Sequence, residues 1–292
     1  MIKLKNVYKR LSERDILRGV DLEIETGETL VILGRSGIGK SVTLRHIVGL
    51  MQPDAGDVEV LGKNVAHLTP EEQAALRLRV GYLFQDGALL NWLTIGQNVA
   101  LPLKEHTHLG AHVDIDARVD ECLAHVELQD AINKYPNQIS GGMRKRAGLA
   151  RALVLQPEVV LYDEPTSGLD PISSSIINNL IRHLQRTFAL TQVVVTHDMN
   201  SAYEIADRLA LLHNGRIQAI GTPAEFQNST DAAVDQFTHG KVEGPLSRGA
   251  DGATPPSGSQ TEPNPTNEQE RADESRDRTP RAASRSGPEE SK

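Results

Sequence analysis

The sequence predicts an α/β fold built on a parallel sheet, with a smaller antiparallel β part and a helical part, and three observations predict it. An apolar stretch, Thr29-Leu30-Val31-Ile32-Leu33, runs into a glycine loop and then into an amphipathic stretch that ends near Leu50. After Pro157, apolar runs at 159–162, 192–196 and 209–212 are separated by helical stretches, the alternation of a parallel α/β arrangement. Nearer the N-terminus, residues 2–8 and 20–26 carry every-second-residue apolar positions (Ile2, Leu4, Val20, Leu22, Ile24), which predict antiparallel strands.

The elements follow in order. The two N-terminal strands are expected to join through a polar turn at 12–15. The loop Gly34-Arg35-Ser36-Gly37-Ile38-Gly39-Lys40-Ser41 fits G-x-x-x-x-G-K-[ST] between a strand and a helix, the context in which that pattern binds phosphate. Its glycines let successive N–H groups turn toward an anion, and the following helix adds its positive end. Lys40 then reaches the β- and γ-phosphates and the Ser41 hydroxyl is a ligand for Mg²⁺. The pattern implies binding of a nucleoside triphosphate.

A short β segment is expected around Gly62, formed by 57–60 and 64–65. Thr69-Pro70-Glu71-Glu72 is a helix start with an N-cap, a proline at the first position and a glutamate three residues on. Residues 80–84 read as a strand ending at Gln85. From about Glu105 to Gln156 the pattern is helical: Ile115, Val119, Leu123 and Val126 mark one face, and a second helix is expected after Gly141-Gly142. Asn214-Gly215 predicts a hairpin turn into 217–220. Beyond Gly244 only Leu246 represents the large apolar residues, so 244–292 is expected to be a disordered polar tail behind a domain spanning 1–243.

Composition narrows the function classes. With 31 Lys and Arg against 39 Asp and Glu, the net charge of −8 argues against a nucleic-acid surface. The tail, with 8 basic and 10 acidic residues over 241–292, makes a poor polybasic membrane anchor. The single Cys122 permits no internal disulfide and suits a reducing compartment. No apolar run approaches the roughly 18 residues of a spanning helix, and the N-terminus carries no signal-peptide core. Work at a membrane is therefore expected from the cytoplasmic side, through a partner.

Residues 159–164, Val-Val-Leu-Tyr-Asp-Glu, form an apolar strand delivering two carboxylates at its C-terminal end, where open parallel sheets bind ligands. Asp163 is suited to hold Mg²⁺ through water and Glu164 to polarise an attacking water. Ile139-Ser140-Gly141-Gly142-Met143 is a second anion-binding turn, about 20 residues before Asp163. Together these resemble the motifs of ABC ATPases, a P-loop fold with a RecA-like parallel core, across roughly residues 2–240. The resemblance implies ATP and Mg²⁺ as cofactors and a head-to-tail dimer. It assigns nucleotide contacts to Gly34, Arg35, Ser36, Gly37, Ile38, Gly39, Lys40, Ser41 and Val42 of one chain. It assigns further contacts to the Ser140, Gly141, Gly142 and Met143 signature of the other, with Asp170 of the Ser167-Gly168-Leu169-Asp170 loop across the interface. Gln85, Glu164 and His197 take the catalytic roles, and Ser41, Gln85 and Asp163 the metal; the helical part carrying the signature is expected over about 86–156. Where the family usually has an aromatic to stack on adenine, this chain has Leu11, with Tyr8 nearby.

Finer features point to one branch. Met143 stands where most ABC ATPases have glutamine, and residues 139–146, 84–90 and 98–107 resemble the ATPases of the Mla/Mce/Mkl lipid-transport systems. So do Gln236-Phe237 with Gly240 and Gly244-Pro245. That branch implies a bacterial peripheral protein at the cytoplasmic face of the inner membrane, partnered by an integral-membrane permease and an MCE-domain protein and moving phospholipid. The alternatives are transport of another solute or a non-transport ABC ATPase in DNA repair or translation. The latter would bring a long coiled coil or a second cassette; here about 100 residues without sustained heptads separate loop and signature. A small-molecule kinase would leave Ser140–Met143 unexplained.

Overall fold

The computed structural model describes residues 1–106 and 113–247. Two sheets carry the fold. The first is antiparallel, order β2-β1-β4-β5, from β1 (Ile2–Leu11), β2 (Arg14–Ile24), β4 (Ala55–Val60) and β5 (Lys63–Asn64). The second has order β10-β9-β3-β8-β7-β6, from β3 (Thr29–Leu33), β6 (Val80–Leu83), β7 (Val159–Asp163), β8 (Thr191–Thr196), β9 (Arg208–His213) and β10 (Arg216–Gly221). Its strands run parallel except β10, which returns through the Asn214-Gly215 turn, both residues at positive φ as a tight hairpin requires.

The central strands are buried on both faces, so their alternation divides two cores. Leu30, Ile32, Leu161, Val193 and Val195 face the antiparallel sheet and the helix after the glycine loop, α1 (Lys40–Ile47). Val31, Leu33, Val160, Tyr162 and Val194 face the helical side. That side is built from α3 (Ile95–Glu105), α4 (Ile115–His125), α5 (Gly141–Leu153), α6 (Pro171–Phe188) and α7 (Met199–Ile205). The remaining helices are α2 (Pro70–Leu78), α8 (Pro223–Gln227) and α9 (Ala232–Thr238). Among the described residues no helix is long and apolar enough to cross a membrane.

The expected elements are present with shifted bounds. The first two strands are longer than their alternation indicates, and their turn shrinks to Ser12 and Glu13. The Thr69 capping box starts α2 as expected. The two glycines of the second turn are the first residues of α5 rather than its approach, with Ser140 as N-cap. The helical region starts well before Glu105, because α3 opens at a capping box of Thr94 and Gln97. Pro102 inside α3 hides it in a propensity reading, although its missing donor interrupts only one bond of the ladder.

The boundary expected at Gly244 falls short. Pro245–Ser247 forms a single 3₁₀ turn, and Leu246 is buried. The buried Gln236 side chain holds this turn: its Oε1 accepts from the Leu246 amide at 2.7 Å, and its Nε2 donates to Ser247 Oγ at 2.7 Å and Lys241 O at 3.1 Å. A polar side chain therefore extends the folded body where hydropathy alone ends it. The expected disorder of the tail lies, from residue 248 onward, outside the described residues. Beyond Ala250 the sequence has no Val, Leu, Ile, Met or aromatic residue, so a chain ending at Ala250 should share the denaturant midpoint of the full chain. One ending at Glu243 should lose about 2 kcal/mol, the worth of one buried leucine. Equal midpoints for the two truncations in urea titrations would remove Leu246 from the core.

Candidate active site

Three neighbouring strands end level with one another. Leu33 pairs with Thr196 and Asp163 with Val195, so β3, β8 and β7 release Gly34, His197 and Glu164 at the same edge. Leu83 of β6 pairs with Tyr162, which brings Gln85 alongside. A cleft of about 290 Å³ opens there, lined by Ser36, Gly37, Gly39, Lys40, Ser41, Val42, Gln85, Glu164 and His197, with Leu11 and Ile16 at its side.

The loop that enters α1 needs its last glycine. Gly39 is the N-cap with φ +114°, and a Cβ there would lie 2.9 Å from Ile16 Cγ2. Lys40 is 5% exposed; its Nζ donates to Gly34 O at 2.7 Å and Arg35 O at 3.2 Å, and sits 3.1 Å from Glu164 Oε1. A buried ammonium needs such partners to offset desolvation, and they aim it along the loop that wraps the anion.

Glu164 adopts φ +50°, a left-handed conformation that costs a non-glycine residue on the order of 1 kcal/mol or more. Its carboxylate is held on one oxygen by Lys40 and on the other by His197 Nδ1 at 2.9 Å. Asp163, one residue earlier and nearly buried, accepts from Ser41 Oγ at 2.7 Å. Its second oxygen accepts from the Tyr82 hydroxyl at 3.1 Å. Burial, and then the Asp163 carboxylate, push the Tyr82 phenol above its ordinary value, which keeps it a donor. Sequence reasoning missed Tyr82; the signal was a phenol in an otherwise apolar strand, a group that needs a polar partner when buried.

The oxygen set of Ser41, Asp163 and the Gln85 amide fits Mg²⁺, a hard cation that usually keeps several waters and takes a few protein oxygens beside phosphate. Among the described residues no cluster of three or more His, Cys, Asp or Glu could cage a metal.

Two groups of sequence-predicted residues lie elsewhere. Ser140 caps α5 by accepting from the Met143 amide at 3.2 Å, and Gly141 and Gly142 approach Leu169 and Ser173 of the same chain. Asp170 is the N-cap of α6: its Oδ1 accepts from the Ile172 and Ser173 amides and its Oδ2 from the Ser173 hydroxyl at 2.6 Å. These donors hold its carboxyl below the usual range. Neither group lines the cleft. Of the residues expected near the base, Leu11 lines the cleft together with Ile16, and Tyr8 does not, its hydroxyl lying instead beside Gly19.

A parallel sheet with a phosphate loop, an acidic pair and a strand-end histidine at one edge defines a nucleoside-triphosphate hydrolase of the P-loop class. Residues 17–167 match the ABC transporter family. Over 84% of this chain and 93% of its own length, the intermembrane phospholipid transport system ATP-binding protein MlaF of Haemophilus influenzae is 37% identical. The sulfate/thiosulfate import ATP-binding protein CysA of Caulobacter vibrioides is 41% identical over 80% of this chain and 68% of its own. The dimeric, ADP- and phosphate-bound ATP-binding cassette MJ0796 superposes with a TM-score of 0.70 at 36% identity, covering 76% of this chain and 99% of that one. The chain belongs to the ABC transporter family as an ATP-binding, ATP-hydrolysing subunit.

Replacing Lys40 with alanine should weaken ATP binding severely, because the phosphates lose a charge-assisted donor and Glu164 loses its counter-ion. Calorimetric titration giving equal affinity for variant and parent would remove Lys40 from the phosphate site.

Proposed function

We propose that the chain is the motor of a bacterial phospholipid transporter. In this reading two copies close head to tail on ATP at the cytoplasmic face of the inner membrane. They drive a permease of the Mla/Mce type that works with an MCE-domain protein. The observation that carries the hydrolytic part is the convergence of Lys40, Ser41, Glu164, Gln85 and His197 on one cleft, with Asp163 bonded to Ser41 at its edge. The likeness to MlaF over nearly its whole length supports the lipid. The CysA likeness supports a second reading, an importer of a small anion, on the same motor.

Hydrolysis follows from the geometry. Lys40 and the loop from Gly34 to Val42 take the phosphates. Glu164, with a side chain only 12% exposed, takes the proton of the attacking water, and His197, bonded to the same carboxylate, is set to meet the γ-phosphate. Ser41, Asp163 and Gln85 would hold Mg²⁺ arriving with the nucleotide, and the ion would supply neutralising charge for the phosphoryl transfer. Ser140–Met143 and Asp170, which do not line the cleft of their own chain, complete the site of the second copy in this reading. The dimeric form of the solved relative supports that arrangement.

Glu164→Gln should keep ATP binding, slow hydrolysis by about 10²–10⁴-fold and trap an ATP-bound dimer. Light scattering that finds only monomer with saturating Mg·ATP, even with the permease present, would count against the composite site.

The permease contact is expected at 89–93. Trp92 is 73% exposed at the tip of a loop pinned by the buried Asn98. The Asn98 amide accepts from the Leu90 amide and donates to the carbonyls of Leu90, Leu93 and Thr94. Trp92→Glu should leave ATP binding intact, abolish copurification with the permease and cause misplaced surface lipid, because a charge buried in that contact is strongly unfavourable. A deletion strain with normal envelope lipid but lost uptake of sulfate or another solute would select the second reading.

A further inference from the structure

The ammonium of Lys145, on α5, is buried and does not line the cleft, and no step of the proposed hydrolysis uses it. Its Nζ donates to Glu164 O at 3.1 Å and to Ser167 O at 2.5 Å. Those carbonyls bracket the turn that leaves β7, and the Ser167 amide closes it by donating to Glu164 O at 3.2 Å. The turn begins with the strained residue, Glu164. Burial lowers the Lys145 affinity for its proton, while the carboxylates of Asp86 and Glu164 oppose that shift. Two carbonyl acceptors in a dry pocket are a costly place for an ammonium unless it holds something in position.

We infer that Lys145 is a positioning residue for hydrolysis: by clamping the carbonyls of Glu164 and Ser167 it holds the left-handed backbone of Glu164 and so aims that carboxylate at the attacking water. The inference rests on the proposed role of Glu164 as the base. It also gives α5 a mechanical task. Ser140 caps the helix and Lys145 lies little more than a turn inside it, so a displacement of the Ser140 end is transmitted through one side chain to the base. Strain at a site persists only where neighbours over-determine it, and Lys145 supplies two of the bonds that do so.

The test compares Lys145→Met, Lys145→Arg and Glu164→Gln in the full chain, reading kcat, the ATP dissociation constant and thermal melting. Met fills the pocket without donating, so kcat should fall about 10–100-fold, the scale on which a misplaced catalytic group costs rate. ATP affinity should stay within about twofold, since Lys145 itself does not line the cleft and holds only backbone carbonyls of Glu164 and Ser167. Arg, which can fork onto two carbonyls, should recover most of the lost turnover. Parental kcat in Lys145→Met beside a crippled Glu164→Gln would overturn the inference and leave the base assignment standing. Parental kcat in Glu164→Gln would overturn both. Loss of turnover matched by loss of ATP affinity or melting temperature, or unrepaired by Arg, would make Lys145 a packing residue and overturn the inference as well.

Discussion

The site depends on the parallel register of three strands. Because Leu33, Thr196 and Asp163 reach the same edge of one sheet, the residues that follow them converge without any loop having to search for the others. Parallel strands buried on both faces admit almost no polar residue along their length, so chemistry is confined to their ends. A polar side chain within these strands, Gln192, is satisfied inside the core: its Oε1 accepts from Thr29 Oγ1 and its Nε2 donates to the Tyr162 hydroxyl and Ile181 O. That buried network ties β3, β7 and β8 at the end opposite the cleft. A slip of β7 by one residue would turn Tyr162 out of the helical core and separate Ser41 from Asp163.

Helix α5 organises the helical side in the same way. Gly148 brings it against the loop after Gln85 so closely that a Cβ would stand 2.9 Å from Gly87 O. Arg151 then donates to Gly87 O at 2.9 Å and Ala88 O at 2.7 Å, while Lys145 holds the turn after β7. The loop that carries Gln85 toward Trp92 and the turn that carries Glu164 are thus fastened to one rigid body. Any force on the surface around Trp92 has a short covalent and hydrogen-bonded route to the cleft.

Much of this architecture was legible because its signals are local. The glycine loop, the Thr69 capping box, the Asn214-Gly215 turn and the apolar strands each announce themselves within ten residues. What escaped is what depends on distant acceptors. Lys145 and Tyr82 look like ordinary residues of a helix and a strand; their partners lie 19 and 81 positions away. Leu246 looked like a stray apolar residue in a polar tail, because nothing near it discloses that Gln236 will satisfy its backbone. Helix α3 is the exception: it lies inside the helical part expected over about 86–156, but its Thr94–Gln97 box is a local signal that the apolar pattern, read only from about Glu105, passes over.

Cargo selection is absent from the chemistry of the cleft, whose polar residues are those that phosphate, water and a metal require. Leu11 and Ile16 give the cleft an aliphatic side without an aromatic face, and the proposed nucleotide contacts are those of Lys40 and the glycine loop. What distinguishes one motor of this family from another must then lie on surfaces away from the cleft. Residues 89–93, the proposed permease contact, combine two properties: an indole left mostly in solvent, and a backbone held by the bonds of a fully buried asparagine. A loop that merely linked two elements would need neither. Rigidity without burial is what a preformed docking surface requires, since it lowers the ordering cost of binding and leaves the apolar area to be covered by the partner.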